Sequence, residues 1–263
     1  MRVRCGACND ERLTDVLRGT AGRIAPRREP AALISDLLSG AIDSFFGADS
    51  PIGAVFVALG PRGVRYLSPA AAEEEFARRY RERFERFVMP ATGDRIEGLA
   101  ERVAKALAGE QVEVPLDLSR ATPFQRRVLD TVRGIPRGEV RPYVWVAREA
   151  GSPGASRAVG SVMANNPIPL IIPCHRVVRN DGSTGSYAFG DDEKVRLLRL
   201  EGVSSQEIEG APYVATPTTG IVCHATCRHA RRIRPENRRP FRSVRDATEV
   251  GYRPCRVCRP VAS

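Results

Sequence analysis

Two pairs of cysteines near the C-terminal end constrain the fold of this chain more than any other feature. Cys223 and Cys227 stand four apart in TTGIVCHATCRHARRI, and Cys255 and Cys258 stand three apart in GYRPCRVCRP, with a loop between the pairs. Two knuckle-like pairs of this kind supply the four ligands of a tetrahedral site, and four soft thiolates select zinc over magnesium or calcium. A segment this short and polar can hardly build a sufficient core without such a centre, so metal binding and folding are expected to be one event. A four-cysteine site is structural by default.

The chain has seven cysteines, an odd number, and its first residues, MRVRCGACNDERL, lack the apolar core of an export signal. Metal ligands or reactive thiols in a cytoplasmic protein are therefore expected rather than a disulfide framework. Cys5 and Cys8 form a third pair with no second half nearby, and His229, amid arginines, reads as a surface residue. No apolar run approaches the roughly 18 residues of a membrane span. The net charge is +10, and most of it is local: from Tyr213 onward eleven arginines face three acids. Such a basic segment fits a polyanion, of which nucleic acid is the commonest.

A length of 263 residues implies roughly two to three domains. Residues 1–48 read as an extension with one amphipathic stretch, AALISDLLSGAIDSFFG, in which Leu33, Ile34, Leu37, Leu38, Ile42, Phe45 and Phe46 recur at helical spacing. Residues 49–117 read as a small α/β unit: two strands, VFVAL and VRYL, joined by a turn with Gly60, Pro61 and Gly63, then two charged helices. Residues 118–205 read as helical. Thr122 is a good N-cap and Pro123 a good first residue, before an apolar stripe of Phe124, Val128, Leu129 and Val132. Further helices over Tyr143–Ala150 and SRAVGSVMANN suggest a helix-turn-helix, a pattern that an ordinary core hairpin shares. IPLIIPCHRVV then has strand character, DDEKVRLLRLEG closes the unit as a helix, and SSQEIEGAP is a loop leading to the cysteine-rich unit at 213–263.

Within that apolar run lies IPCHRVVRND. Cys174 there is open to three readings: inert core, metal ligand or nucleophile. A nucleophilic thiol needs a base or a positive field beside it. His175 is adjacent, and Glu201, returned by the last helix, is the candidate carboxylate to orient it. Neighbouring side chains on a strand point to opposite faces, so a water would bridge thiol and imidazole.

The longer pattern narrows the choice. TPFQRRVLDTVRGIPRGEV, Tyr143, SRAVGSVMANNPIPLIIPCHRVV, GSYAFG and LRLEG resemble, in the same order, the O6-alkylguanine-DNA alkyltransferase family over about residues 121–202. SPIGAVFVALGPRGV resembles, more loosely, that family's ribonuclease-H-like N-terminal domain. The resemblance implies a winged-helix-like helix-turn-helix domain that binds alkylated double-stranded DNA, flips out the damaged nucleotide and moves its alkyl group from guanine O6, and from thymine O4, to Cys174 in one turnover. It implies His175 as base through a water, Glu201 as its support, and Asn166 as the brace between the recognition helix and the active-site segment. Arg157 would fill the vacated stack, Tyr143 would press on the adjacent phosphate, and Tyr187 would wall the pocket. The carbonyls of Cys174 and Val177 would accept the exocyclic amine of guanine. Ala188 stands where some members carry a serine, leaving a backbone N–H to donate to O6.

TTGIVC, Cys227, Glu236, Asn237, Phe241 and GYRPC resemble the metal-binding domain of the Ada protein over about residues 213–260. There the residue in the place of Cys223 accepts a methyl group from a DNA phosphotriester. Val222 and His224 depart from that pattern, which has an aromatic and an arginine. The expectation is a monomeric, nucleoid-associated repair methyltransferase with zinc. Its alternatives are a lesion-binding sensor without transfer and an Ada-like transcription regulator, which the lack of an AraC-type segment after Cys258 disfavours.

Overall fold

The computed structural model describes residues 42–91 and 96–261. Cys5, Cys8 and the first part of the amphipathic stretch lie outside the described residues. The described chain is mixed α/β, and none of its helices is long and apolar enough to cross a membrane.

The first sheet has the order β3-β2-β1-β4, with strands β1 (Ile42–Ser50), β2 (Gly53–Gly60), β3 (Gly63–Ser68) and β4 (Phe87–Pro90). Ile42, Phe45 and Phe46, expected on a helix, therefore lie on a strand that begins before residue 49. The reason is tertiary. β1 pairs antiparallel with β2 from Ser44↔Leu59 to Ser50↔Gly53, and its alternate residues Asp43 and Phe45 are buried. Phe45 joins an aromatic core with Phe76, Tyr80 and Phe84 of α1 (Glu73–Phe84). Buried Arg65 on β3 bridges Asp43 at 2.5 Å and Asp117 at 2.6 Å, tying the sheet to the chain that leaves this region. At Gly63, φ is +128° and an added Cβ would lie 2.2 Å from the Pro115 carbonyl oxygen, so only glycine lets these segments meet.

After α2 (Glu97–Ala108) come α3 (Pro123–Arg133), α4 (Tyr143–Glu149) and α5 (Ser156–Ala164). Thr122 and Gln125 form a reciprocal capping box at the start of α3. Val128, Leu129 and Val132 of α3, Val146 of α4 and Val159 and Val162 of α5 share one core, which also takes in Val55 and Val57 of β2. The expected strand at IPLIIPCHRVV shrinks to β6 (Val177–Val178), which pairs in parallel with β5 (Arg141–Pro142). Before β6, Cys174–Arg176 is a 3₁₀ turn. Pro167, Pro169 and Pro173 deny the segment ladder donors, and Leu170 adopts a left-handed φ of 71°, so the chain winds rather than extends. α6 (Asp191–Leu200) follows as expected, but SSQEIEGAP is not all loop: Ser204 caps a short α7 (Ser205–Ile208), whose Ile208 is buried.

The cysteine-rich segment forms a second sheet of order β10-β8-β7-β9 from β7 (Tyr213–Thr216), β8 (Ile221–His224), β9 (Arg239–Phe241) and β10 (Arg253–Pro254), with α8 (Val244–Glu249) packed beside it.

Candidate active site and metal centre

Cys174 is 3% exposed and lines a cavity of about 660 Å³. Arg157, Gly160 and Met163 of α5, Tyr143 at the start of α4, and Tyr187 and Ala188 of the following loop form walls of the same cavity. Asn166, just beyond α5, is the local organiser. Its Oδ1 accepts from the Ile168 N–H at 3.0 Å, and its Nδ2 donates to the Ile172 carbonyl at 2.8 Å and to Cys174 Sγ at 3.2 Å. One amide thus staples the winding proline-rich segment and touches the thiol.

His175 is buried beside it. Its Nε2 meets Glu201 Oε1 at 3.0 Å, while Nδ1 is buried without a protein partner. Glu201 also accepts from Arg176 Nε at 2.9 Å and Nη2 at 2.8 Å, and from the Gly138 N–H at 3.2 Å. Burial pushes the Glu201 carboxyl up, but the hydrogen bonds from His175 and Arg176 outweigh it and hold it down at about 2. Burial lowers His175 below its ordinary value despite Glu201, so the imidazole is neutral at neutral pH and free to accept a proton. Burial raises the Cys174 thiol against the opposing Asn166 hydrogen bond, so the resting sulfur is protonated and needs that base.

All the residues expected to contact the base or act on it except Val177, Asn166, His175 and Glu201 line the cavity; those four lie behind it or brace it. Tyr187 packs edge-on to His175 with ring centres 6.3 Å apart. Because Cys174 and His175 sit on a 3₁₀ turn, the strand-alternation argument for their relative facing does not apply. The Val177 carbonyl already accepts from Lys194 Nζ at 2.6 Å, leaving it one lone pair.

Lys194 is the residue that sequence reasoning missed. It is 1% exposed on α6, and burial lowers it to about 8 while the nearby Cys174 opposes that shift. The signal was present: one of two lysines in the chain falls in phase with the buried Leu197 and Leu198. Arg176, the clamp on Glu201, was equally legible as the residue after His175.

The pairing of Glu201 with Arg176 and His175 gives a direct expectation. Glu201→Gln leaves Arg176 unpaired in a largely buried site and should destabilise the fold by about 3–5 kcal/mol. Because the folded carboxyl is depressed, its stabilisation is present above the ordinary carboxyl value of 4.5 and is lost as pH falls from there towards about 2. Urea midpoints measured across that window should slope with pH in the parent and much less in the variant; equal slopes would place the stabilisation elsewhere.

The sulfurs of Cys223, Cys227, Cys255 and Cys258 lie within 4.8 Å of one another, and all four residues are buried. Thiolates bound at about 2.3 Å around a tetrahedral ion stand roughly 3.8 Å apart, so the cluster has the donor set and the spacing of a closed metal site. The His224 N–H donates to Cys258 Sγ at 3.4 Å. His224 is buried against Tyr213 and held well below its ordinary pKa by that burial, so a neutral ring stands where the Ada pattern has a charge. His229 is exposed.

The chain thus carries a buried thiol that accepts from an amide and is followed by a neutral imidazole paired with a carboxylate, and beyond it a four-cysteine cluster with the donor set of a metal site. Residues 123–203 match the family described as 6-O-methylguanine DNA methyltransferase, DNA binding domain, and residues 203–261 match the metal binding domain of Ada. The two matches adjoin at residue 203 and together span residues 123–261. It is 45% identical over 112 residues to a methylated-DNA–protein-cysteine methyltransferase of Methanothermobacter thermautotrophicus, covering 41% of this chain and 62% of that protein. The corresponding protein of Mycolicibacterium paratuberculosis is 43% identical over 105 residues, covering 40% of this chain and 64% of that protein. The chain therefore spans a little under two thirds of the length of these relatives. A crystal structure of the Mycobacterium tuberculosis O6-methylguanine methyltransferase is 34% identical, with a TM-score of 0.48, covering 60% of this chain and 92% of that one.

Proposed function

We propose that the chain is a direct-reversal repair protein that moves the alkyl group from guanine O6, and from thymine O4, in double-stranded DNA onto its own Cys174. The observation that carries this reading is the single thiol facing a 660 Å³ cavity, with an amide on its sulfur and an imidazole–carboxylate–guanidinium chain behind it. The names of the relatives support it.

An alkylated O6 lies within the duplex, so the nucleotide must leave the stack to reach a buried sulfur. Arg157, exposed on α5 at the cavity, takes the vacated place, where a flat cation can stack and hydrogen-bond. Tyr143 presses on the neighbouring phosphate, Tyr187 walls the base, and the N–H groups near Ala188 donate to O6. The Cys174 proton passes through a water to His175 Nδ1, and Glu201 steadies the imidazolium. The thiolate attacks the alkyl carbon in line. The carbon–oxygen bond breaks, its electron pair passes to the base, which takes up a proton, and a thioether remains. No step regenerates the thiol, so each molecule reacts once.

In this reading residues 49–117, with the start of β1, are a ribonuclease-H-like domain, residues 118–205 a winged helix-turn-helix domain, and residues 213–263 a zinc domain of a monomer acting on nucleoid DNA in the cytoplasm. Zinc is the metal that four cysteine ligands favour, and when bound it keeps them as thiolates at neutral pH. One observation favours a second acceptor: Cys223, like Cys255, lines a further cavity of about 500 Å³ together with Arg232, Arg253 and Arg256, a setting suited to a DNA phosphotriester.

Arg157→Ala tests the flipping step. Loss of a stacking group should weaken binding to lesion-bearing duplex by about 1–3 kcal/mol and slow transfer in duplex far more than transfer from a free O6-alkylguanine base, which needs no flipping. Equal slowing on both substrates would remove Arg157 from that role.

A further inference from the structure

The metal module and the Cys174 site share one stretch of chain, residues 138–145. On its site side, the Gly138 N–H donates to Glu201, β5 pairs with the strand that follows His175 and Arg176, and Tyr143 lines the cavity. On its module side, the Val140 N–H donates to Thr226 Oγ1 at 3.0 Å, Glu139 Oε1 accepts from the Arg228 N–H at 3.0 Å, and the Trp145 indole N–H donates to the carbonyl of Cys258 at 2.9 Å.

These contacts are buried and specific. Glu139 and Arg141 are 6% and 4% exposed and ion-paired to each other, and the Arg141 guanidinium lies 5.4 Å from the Trp145 ring centre. The Cys258 carbonyl belongs to a residue of the metal cluster itself, so an ion that draws the four sulfurs together would also fix the place of that oxygen. At the other end of the stretch there is no slack: an added Cβ at Gly138 would lie 2.9 Å from the Glu201 carbonyl oxygen and 3.2 Å from Arg231 of the module.

We propose that the four-cysteine module is a structural part of the alkyltransferase site, and that metal bound there sets residues 138–145, with Glu139 and Trp145 as positioning residues, in the arrangement that makes Cys174 reactive. This rests on the alkyl-transfer reading. Coupling of this kind between two sites commonly amounts to about 5–150-fold.

Trp145 is the only tryptophan in the chain, so its emission reports the contact directly. In the full-length zinc-loaded protein, removing the metal with a chelator should shift Trp145 emission to longer wavelength. It should also slow single-turnover methylation of the Cys174 peptide by about tenfold or more, and added zinc should restore both. Unchanged emission together with a transfer rate within about twofold of the loaded protein would overturn the proposal.

If stripping unfolds the whole chain, the loaded Glu139→Gln and Trp145→Phe proteins decide. With one zinc retained per chain, each should transfer about 2–10-fold more slowly, the effect of one lost hydrogen bond, and Glu139→Gln should shift the emission as well. Parental transfer rates in both variants, with parental emission in Glu139→Gln, would overturn it. Should the loaded parent transfer nothing, the alkyl-transfer reading fails, and the coupling then stands or falls on the response of Trp145 to metal.

Discussion

A Cys174→Ala protein is expected to transfer no alkyl group from O6-methylguanine while binding the lesion-bearing duplex with nearly parental affinity. Cys174 carries the one thiol among the residues that line the cavity, and its deletion leaves the surrounding hydrogen bonds among Asn166, Ile168 and Ile172 intact. Removing one buried sulfur should cost the fold only about 1–2 kcal/mol, well inside the stability of a typical domain. Transfer is read by acid-stable methylation of the protein, and binding by titration of labelled duplex. Residual transfer would assign the acceptor to another cysteine; a protein that neither transfers nor binds would show that Cys174 has a structural part in the DNA site.

The second large effect concerns the metal. Cys255→Ser should cost the module most of its stability, because structural zinc sites contribute apparent binding energies of about 10–16 kcal/mol, as much as the whole stability of many domains. The module has little else: Tyr213, Ala215, Val222, Val244 and Ala247 make up its small apolar core. The expected result is loss of bound zinc and rapid proteolysis within residues 203–261. The aromatic core built on Phe45, Phe76 and Tyr80 should stay protected. A variant that loses zinc yet resists proteolysis throughout would mean that packing, rather than metal, holds the module together.

Much of the site was legible in the sequence because its chemistry is local. Cys174, His175 and Arg176 are consecutive, Thr122 and Pro123 announce their helix, and the four cysteines declare a metal site by spacing. What escaped was set by tertiary contacts. Phe45 and Phe46 keep helical spacing with the residues before them, yet pairing with β2 claims both for β1, and Phe45 enters the aromatic core. The apolar run before Cys174 has the composition of a strand, but its prolines and the left-handed Leu170 make it wind. Lys194 looks like one more charge on a helix until its phase with Leu197 and Leu198 is noticed. Nothing in the sequence tells that Trp145 reaches the carbonyl of Cys258, since that bond spans 113 positions and depends on how two domains dock.

Alkyl transfer to Cys174 is tested most directly by peptide mass spectrometry of the full-length zinc-loaded protein after incubation with excess duplex carrying both O6-methylguanine and methylphosphotriesters. One methyl group is expected on the Cys174 peptide, complete within a single turnover, and a second on Cys223 if the arginine-lined cavity beside it serves phosphotriesters. An unmodified Cys174 in protein that binds the duplex would contradict direct transfer and leave a lesion-binding protein in its place.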